Sequence, residues 1–208
     1  MWRVLILALM TGVAAWGITD SAQAQTAPKA APKTAAPAAK TAAKPESKPV
    51  APPAAVAGGA EPTLIGQFGT WGAYSATPNG KKVCFALAKP SSSKTIPPNR
   101  PRDPAYAFVS TRPAEKVNNE VSVMIGYALK PGSESSVEVG GAAFAMYTQG
   151  DGLWIKNAAE EERMVEAMRK SADLVVKGVS AKGTETTDTF SLKGLAQALD
   201  RIAQDCRR

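Results

Sequence analysis

The residues of this chain that could do chemistry are few. There is no histidine. That removes Ser-His-Asp and Cys-His triads, histidine-based zinc sites and the usual acid–base catalyst near neutral pH. Ser91-Ser92-Ser93-Lys94 matches Ser-x-x-Lys, a nucleophile motif that needs a helix start and partner motifs, but here it lies in a proline-rich stretch. Gln149-Gly150-Asp151-Gly152 has calcium-loop residues, yet a hairpin turn accounts for it better. Glu160, Glu161 and Glu162 could gather a metal, but acidic residues in a first helical turn are favoured by the helix dipole. The pairs Glu134/Glu138 and Glu185/Asp188 could serve glycoside hydrolysis if placed across a cleft. Exposed strand carboxylates are the ordinary alternative. No catalytic set emerges, so the expectation is a protein that is not an enzyme and needs no cofactor.

The chain's two cysteines, Cys84 and Cys206, remain. They form no Cys-x-x-Cys redox pair. Their state depends on compartment, and the first residues speak to that. Arg3 precedes an apolar run from Val4 to Ile18, and Ala22-Gln23-Ala24 fits a small-x-small cleavage site. Residues 1–24 thus read as a secretory signal peptide cut before Gln25, the alternative being an uncleaved anchor. No later segment approaches the ~20 apolar residues of a membrane span, so none is expected in the mature protein. Export to the periplasm, with surface exposure open, places the cysteines in an oxidising medium. There the single intramolecular pairing is Cys84–Cys206, against two buried free thiols. Closing a loop of over 100 residues would contribute about 4–5 kcal/mol at most.

Residues 25–60 are almost entirely Ala, Pro and Lys. Lys29, Lys33, Lys40, Lys44 and Lys48 face one acid, Glu46, and seven prolines break any alanine helix. This tract cannot bury enough apolar area to offset its ordering entropy, and it reads as a disordered spacer. It is either a plain tether or a cationic tail for an anionic envelope polymer or envelope protein. Residues 61–208 hold 19 basic and 16 acidic residues, so the tail supplies much of the net +7. Basic residues there are not interleaved with aromatics, and nucleic acid is not an expected partner.

The elements that must position these groups read as mostly strands. Gln67–Ala76, with Phe68, Trp71 and Tyr74, and Lys82–Ala88 flank Asn79-Gly80, a tight-turn pair. Lys89–Pro104 carries five prolines and three serines and reads as a long loop. Its Lys94, Arg100 and Arg102 form a candidate contact surface. Strands follow at Ala105–Thr111, Val121–Leu129, Val137–Val139, Ala142–Tyr147, Leu153–Ile155, Leu174–Val179 and Thr186–Phe190, with turns at Gly140-Gly141 and Gly150–Gly152. Asn157 and Glu160 have capping-box spacing for a helix with Met164, Ala167, Met168 and Ser171 on one side. Ser191 is placed to cap a last helix whose stripe runs from Leu192 through Leu195, Ala196, Leu199, Ile202 and Ala203 to Cys206. The fold class expected is mainly β: an antiparallel sandwich or barrel-like domain with two amphipathic helices, one near the C-terminus. A groove beside Trp71 or Trp154 is a candidate ligand site.

Several stretches resemble the invasion-associated locus B family of Gram-negative bacteria: Trp71-Gly72-Ala73-Tyr74, Lys82–Leu87, Arg102–Tyr106, Ser110–Glu115, Asn119–Ser122, Gln149–Gly152 and the helix from Leu195 to Cys206. The resemblance covers the folded region and excludes the leader and spacer. It implies an exported cell-envelope protein, with some members linked to host-cell invasion, and brings no catalytic residues with it. The alternative function is a periplasmic binding module for a glycan or small ligand.

Overall fold

The computed structural model describes residues 60–133 and 135–207. The leader assigned to 1–24, the Lys-rich spacer assigned to 25–60 (its last residue aside) and Glu134 lie outside the described residues. The elements run β1 (Thr63–Phe68), β2 (Trp71–Ala76), β3 (Val83–Ala88), β4 (Ser92–Ile96), β5 (Tyr106–Arg112), β6 (Val117–Met124), β7 (Ser135–Val139), β8 (Ala142–Gln149), β9 (Gly152–Ile155), α1 (Ala158–Lys170), β10 (Asp173–Val179), β11 (Glu185–Ser191) and α2 (Leu195–Cys206). All strand pairs are antiparallel, in the order β1-β2-β3-β5-β6-β9-β8-β7-β10-β11-β4. The mainly β fold with two helices matches the expectation. The sheet has two edges, β1 and β4, so it is not closed. It does curl: beyond β6, Leu129 bridges to Ser180 beyond β10, and Lys130 N donates to Val179 O at 3.0 Å.

Alternation along the strands sets what is buried. Val121 and Val123, Val137 and Val139, Phe144 and Met146, and Val176 and Phe190 all point to one side and form a single core with Met164 and Met168 of α1 and Leu195, Leu199 and Ile202 of α2. Over β2 and β3, where α2 packs, the inward residues beyond Trp71 are small: Ala73, Cys84 and Ala86. The opposite face of β2, β3 and β5 carries its own buried group, Tyr74, Phe85, Leu87 and Phe108, with Tyr74 stacked on Phe85 at 5.4 Å.

Turn chemistry follows the sequence closely. Asn79 and Gly80 both take positive φ, in a six-residue link rather than a two-residue turn. Gly140 and Gly141 do so between β7 and β8. The run read as one strand from Gln67 to Ala76 is instead a hairpin that turns at Gly69-Thr70. Gly69 has φ +58, and a Cβ there would meet Lys193 O at 2.7 Å, so the first hairpin docks against the entry to α2.

Asn157 caps α1, accepting the Glu160 amide at 2.9 Å, a contact that contributes ~1 kcal/mol. Ser191 does not cap α2. It ends β11, and its carbonyl accepts the Trp71 indole N–H at 2.9 Å, while α2 starts later, after Gly194 at φ +96. Met164, Val165 and Met168 are the buried residues of α1, and Ala198 joins the buried stripe of α2.

Cys84 and Cys206 are joined, their Cα atoms 5.9 Å apart, linking the end of α2 to β3 across a separation of 122 residues. Beside them Lys82 Nζ reaches both the Asp205 carboxylate at 3.1 Å and the Asp205 carbonyl at 2.8 Å. A cation is favourable at a helix C-terminus. This contact, with hydrogen bonding from Ser75, holds the Asp205 carboxyl below its usual range.

Candidate functional site

The stretch Lys89–Pro104 is not wholly loop. Ser92–Ile96 forms β4, paired with β11 from Thr189↔Ser92 to Glu185↔Ile96. Sequence favours a loop there because five prolines cluster around it, but an edge strand needs only one ladder, and Lys94 and Pro97 are residues that blunt a free edge.

Register places four residues in one row across the outer face of this end of the sheet. Ser136 of β7 pairs with Lys177 of β10, Lys177 with Thr187 of β11, and Thr187 with Lys94 of β4. The segment Pro98–Arg100 rises beside them and closes one side of a cleft of about 830 Å³. Its walls include Lys94, Arg100, Lys177, Ser136, Thr187 and Glu185. Among the described residues, Lys94, Arg100 and Lys177 have no carboxylate partner, and Glu185 is the one acid on the wall. The cleft is therefore cationic and lined with hydroxyls. It can hold an oxyanion by charge and hydroxyl donors at once.

The inner face directly beneath is different. Asp188 is fully buried and receives Arg102 through both guanidinium nitrogens, one of them at 2.7 Å. Arg102 also donates to Ile125 O at 3.0 Å and to Ser93 Oγ at 3.1 Å. The side chain thus ties β4, the end of β6 and β11 together. Next to it the Tyr127 and Thr186 hydroxyls share a hydrogen bond of 2.7 Å, and burial pushes the Tyr127 phenol above its ordinary pKa. A second cavity of about 480 Å³ opens here, lined by Arg100, Arg102, Tyr127, Lys182 and Thr184. Arg100 borders both spaces.

Against this geometry the residues singled out from sequence separate. Lys94 and Arg100 lie in the cationic cleft. Arg102 borders both spaces, but its charge is taken up by buried Asp188. Trp71 cannot line a groove, since it is fully buried beneath the β11–α2 junction. Trp154 sits on the outer face of β9, away from the cleft, with its ring stacked on Tyr147 at 6.0 Å. Ser91 donates to Thr189 O at 2.9 Å, a strand-end contact rather than the helix start that Ser-x-x-Lys needs. Glu185 and Asp188 are three apart on one strand and so point to opposite faces, which rules out a carboxylate pair across a cleft. Glu161 does more than favour the helix start. It accepts the Val121 amide at 2.7 Å, and burial pushes its carboxyl above the usual range. Among the described residues no group of three or more cysteines and carboxylates is placed to hold a metal. None of their helices is long and apolar enough to cross a membrane.

Sequence reasoning missed Lys177 and Thr187, and it singled out Asp188 as half of a carboxylate pair rather than as the partner of Arg102. Lys177 and Thr187 carried a strand alternation but nothing that set them opposite Lys94. Asp188 was the stronger clue: an acid at an inward position of a strand demands a buried cation.

An open, curled antiparallel sheet with a helix disulfide-bonded to its third strand and a cationic outer cleft define a disulfide-linked, mainly β domain. Residues 71–203 match the family model described as invasion associated locus B (IalB) protein. The chain belongs to that family. No curated protein and no solved structure matched.

Proposed function

We propose that this protein is an exported, non-enzymatic component of the bacterial cell envelope that binds an anionic envelope constituent through the cleft between β4, β11, β10 and the Pro98–Arg100 segment. The observation that carries the reading is the set of cations Lys94, Arg100 and Lys177, without a carboxylate partner among the described residues, around Ser136 and Thr187. Unpaired like charges gathered on one wall cost free energy in isolation and are relieved by an anionic partner. Export is supported by the signal-like residues 1–24 and by the Cys84–Cys206 bond, which persists in oxidising compartments. The non-enzymatic reading is supported by how the reactive groups are used: both cysteines are bonded to each other, and Asp188 is taken up by Arg102. Any role in host-cell invasion would be exercised through this binding.

The test is co-sedimentation with purified envelope fragments. Reversing the charges together (Lys94→Glu, Arg100→Glu, Lys177→Glu) is expected to abolish association while the fold survives. Deleting residues 25–60 is expected to weaken it only in proportion to the tail's charge. Unchanged association of the triple variant would refute the cleft; total loss on deleting 25–60 alone would transfer the role to the tail.

A further inference from the structure

The outer face does not stop at the cleft. Ser136 pairs with Ala145 of β8, the next residue on that face of β8 is Tyr147, and Tyr147 pairs with Trp154 of β9. The two rings stack at 6.0 Å with an interplanar angle of 29°. Tyr147 is 38% exposed. The Trp154 ring lies along its own strand, over Gly152, where a Cβ would run into it. Only a glycine two residues earlier allows that flat placement. Ala145, the residue of β8 in line with the lysine row, is exposed and small and leaves the floor low beside Tyr147. From β9 to β4 is five strand steps, roughly 24 Å at the usual strand spacing.

Charge along this track is sparse. Lys177 and Lys94 are separated by Thr187, and the acids Glu138 and Glu185 lie on the same face on either side of the lysine row. A dense polyanion such as polyphosphate would meet those carboxylates at close range. A polymer with charge on some units and hydroxyls on the rest would find cations, hydroxyl partners and acceptors in turn. The negative face of an aromatic ring attracts the polarised C–H face of a sugar.

Resting on the cleft reading above, we infer that the bound constituent is an acidic polysaccharide lying across the strands. An uncharged sugar sits on Tyr147 and Trp154, and an acidic group is held between Lys177 and Lys94.

Titration calorimetry of the mature chain with three probes of equal length tests this: a hyaluronan decasaccharide, charged on alternate sugars; a dextran decamer, uncharged; and a polyphosphate of ten units. Hyaluronan is expected to bind at least tenfold more tightly than either of the others. Tyr147→Ala, which leaves the Gly152–Trp154 packing in place, is expected to weaken hyaluronan at least tenfold and polyphosphate not at all. Trp154→Phe should retain most of the affinity and Trp154→Ala should lose it. If Tyr147→Ala and Trp154→Ala, both folded by circular dichroism, bind hyaluronan as well as the parent, or if hyaluronan does not bind, the polysaccharide assignment is overturned. Polyphosphate binding that Lys94→Ala and Lys177→Ala together abolish would then leave the cleft reading standing. Polyphosphate binding that they do not change would end that reading as well.

Discussion

Replacing Arg102 by alanine should be among the most damaging single changes in this protein. Asp188 has no exposed surface, and Arg102 supplies both of its side-chain hydrogen bonds, while the Arg102 side chain is itself 12% exposed. Removing the guanidinium leaves a carboxylate in the protein interior and deprives the Ile125 carbonyl and Ser93 hydroxyl of a donor. Breaking a buried pair in this way costs about 3–5 kcal/mol, several times an exposed ion pair. For a domain of this size that is a fall of about 10 °C in melting temperature. Urea denaturation followed by circular dichroism gives the difference directly, provided the slope with denaturant is unchanged. The double variant Arg102→Met/Asp188→Leu should recover most of the loss, because the cost lies in the orphaned charge rather than in the absence of the pair. Its cleft should loosen even so, since Arg102 ties β4 to the end of β6. A loss under about 1 kcal/mol for Arg102→Ala would refute the placement of Asp188 and with it the anchoring of β4.

Other outcomes follow from single contacts. Converting both Cys84 and Cys206 to alanine should lower unfolding stability by up to about 4–5 kcal/mol, read from urea midpoints with the parent under non-reducing conditions; a loss near zero would mean the bond contributes nothing. Gly152→Ala should displace the Trp154 ring, costing about 1–3 kcal/mol and changing Trp154 emission, with Trp71 buried and constant; unchanged emission would contradict the close approach. Glu161 has its carboxyl raised by burial, so the folded state holds its proton more tightly than the unfolded one. Its contribution to stability therefore falls as pH rises from the ordinary carboxylate pKa through the raised one. Glu161→Gln should melt higher than the parent at pH 7 and lose that advantage below the carboxylate range; equal melting at both pH values would count against it. Asp205 has the opposite sign: its contact with Lys82 stabilises above the ordinary carboxylate range and is lost as pH falls through its lowered pKa. Lys82→Ala should therefore destabilise at pH 7 and have little effect at the acid end of the melt.

What sequence made readable was local. Asn157 with Glu160, Gly140-Gly141 and the alternation of Val121 and Val123 each encode their structure within a few residues, and the strands and helices stand where those signals put them. The disulfide was readable because two cysteines behind a signal-like leader leave one intramolecular pairing. A few misses are local, such as the turn at Gly69-Thr70 and the cap assigned to Ser191, and the rest are long-range. Serines and prolines around β4 predict a loop, because nothing local reveals the ladder that β11 offers it. Trp71 reads as an aromatic of unknown depth until β11 and α2 are seen to close over it. Arg102 and Asp188 are 86 residues apart, and an inward acid calls for a buried cation without saying which one. The candidate site was half visible for the same reason: Lys94 and Arg100 stood out in a basic, proline-rich run, whereas Lys177 and Thr187 join them only through the register of β10, β11 and β4.

The most direct test of a binding face on this side of the sheet is to map it by nuclear magnetic resonance. The isotopically labelled mature chain would be titrated with polysaccharide extracted from the envelope. The expected amide shifts fall on the Lys94, Arg100, Lys177 and Thr187 positions and extend to Tyr147 and Trp154, with α1 and α2 silent. Shifts concentrated on the helices, or confined to residues 25–60, would contradict the account.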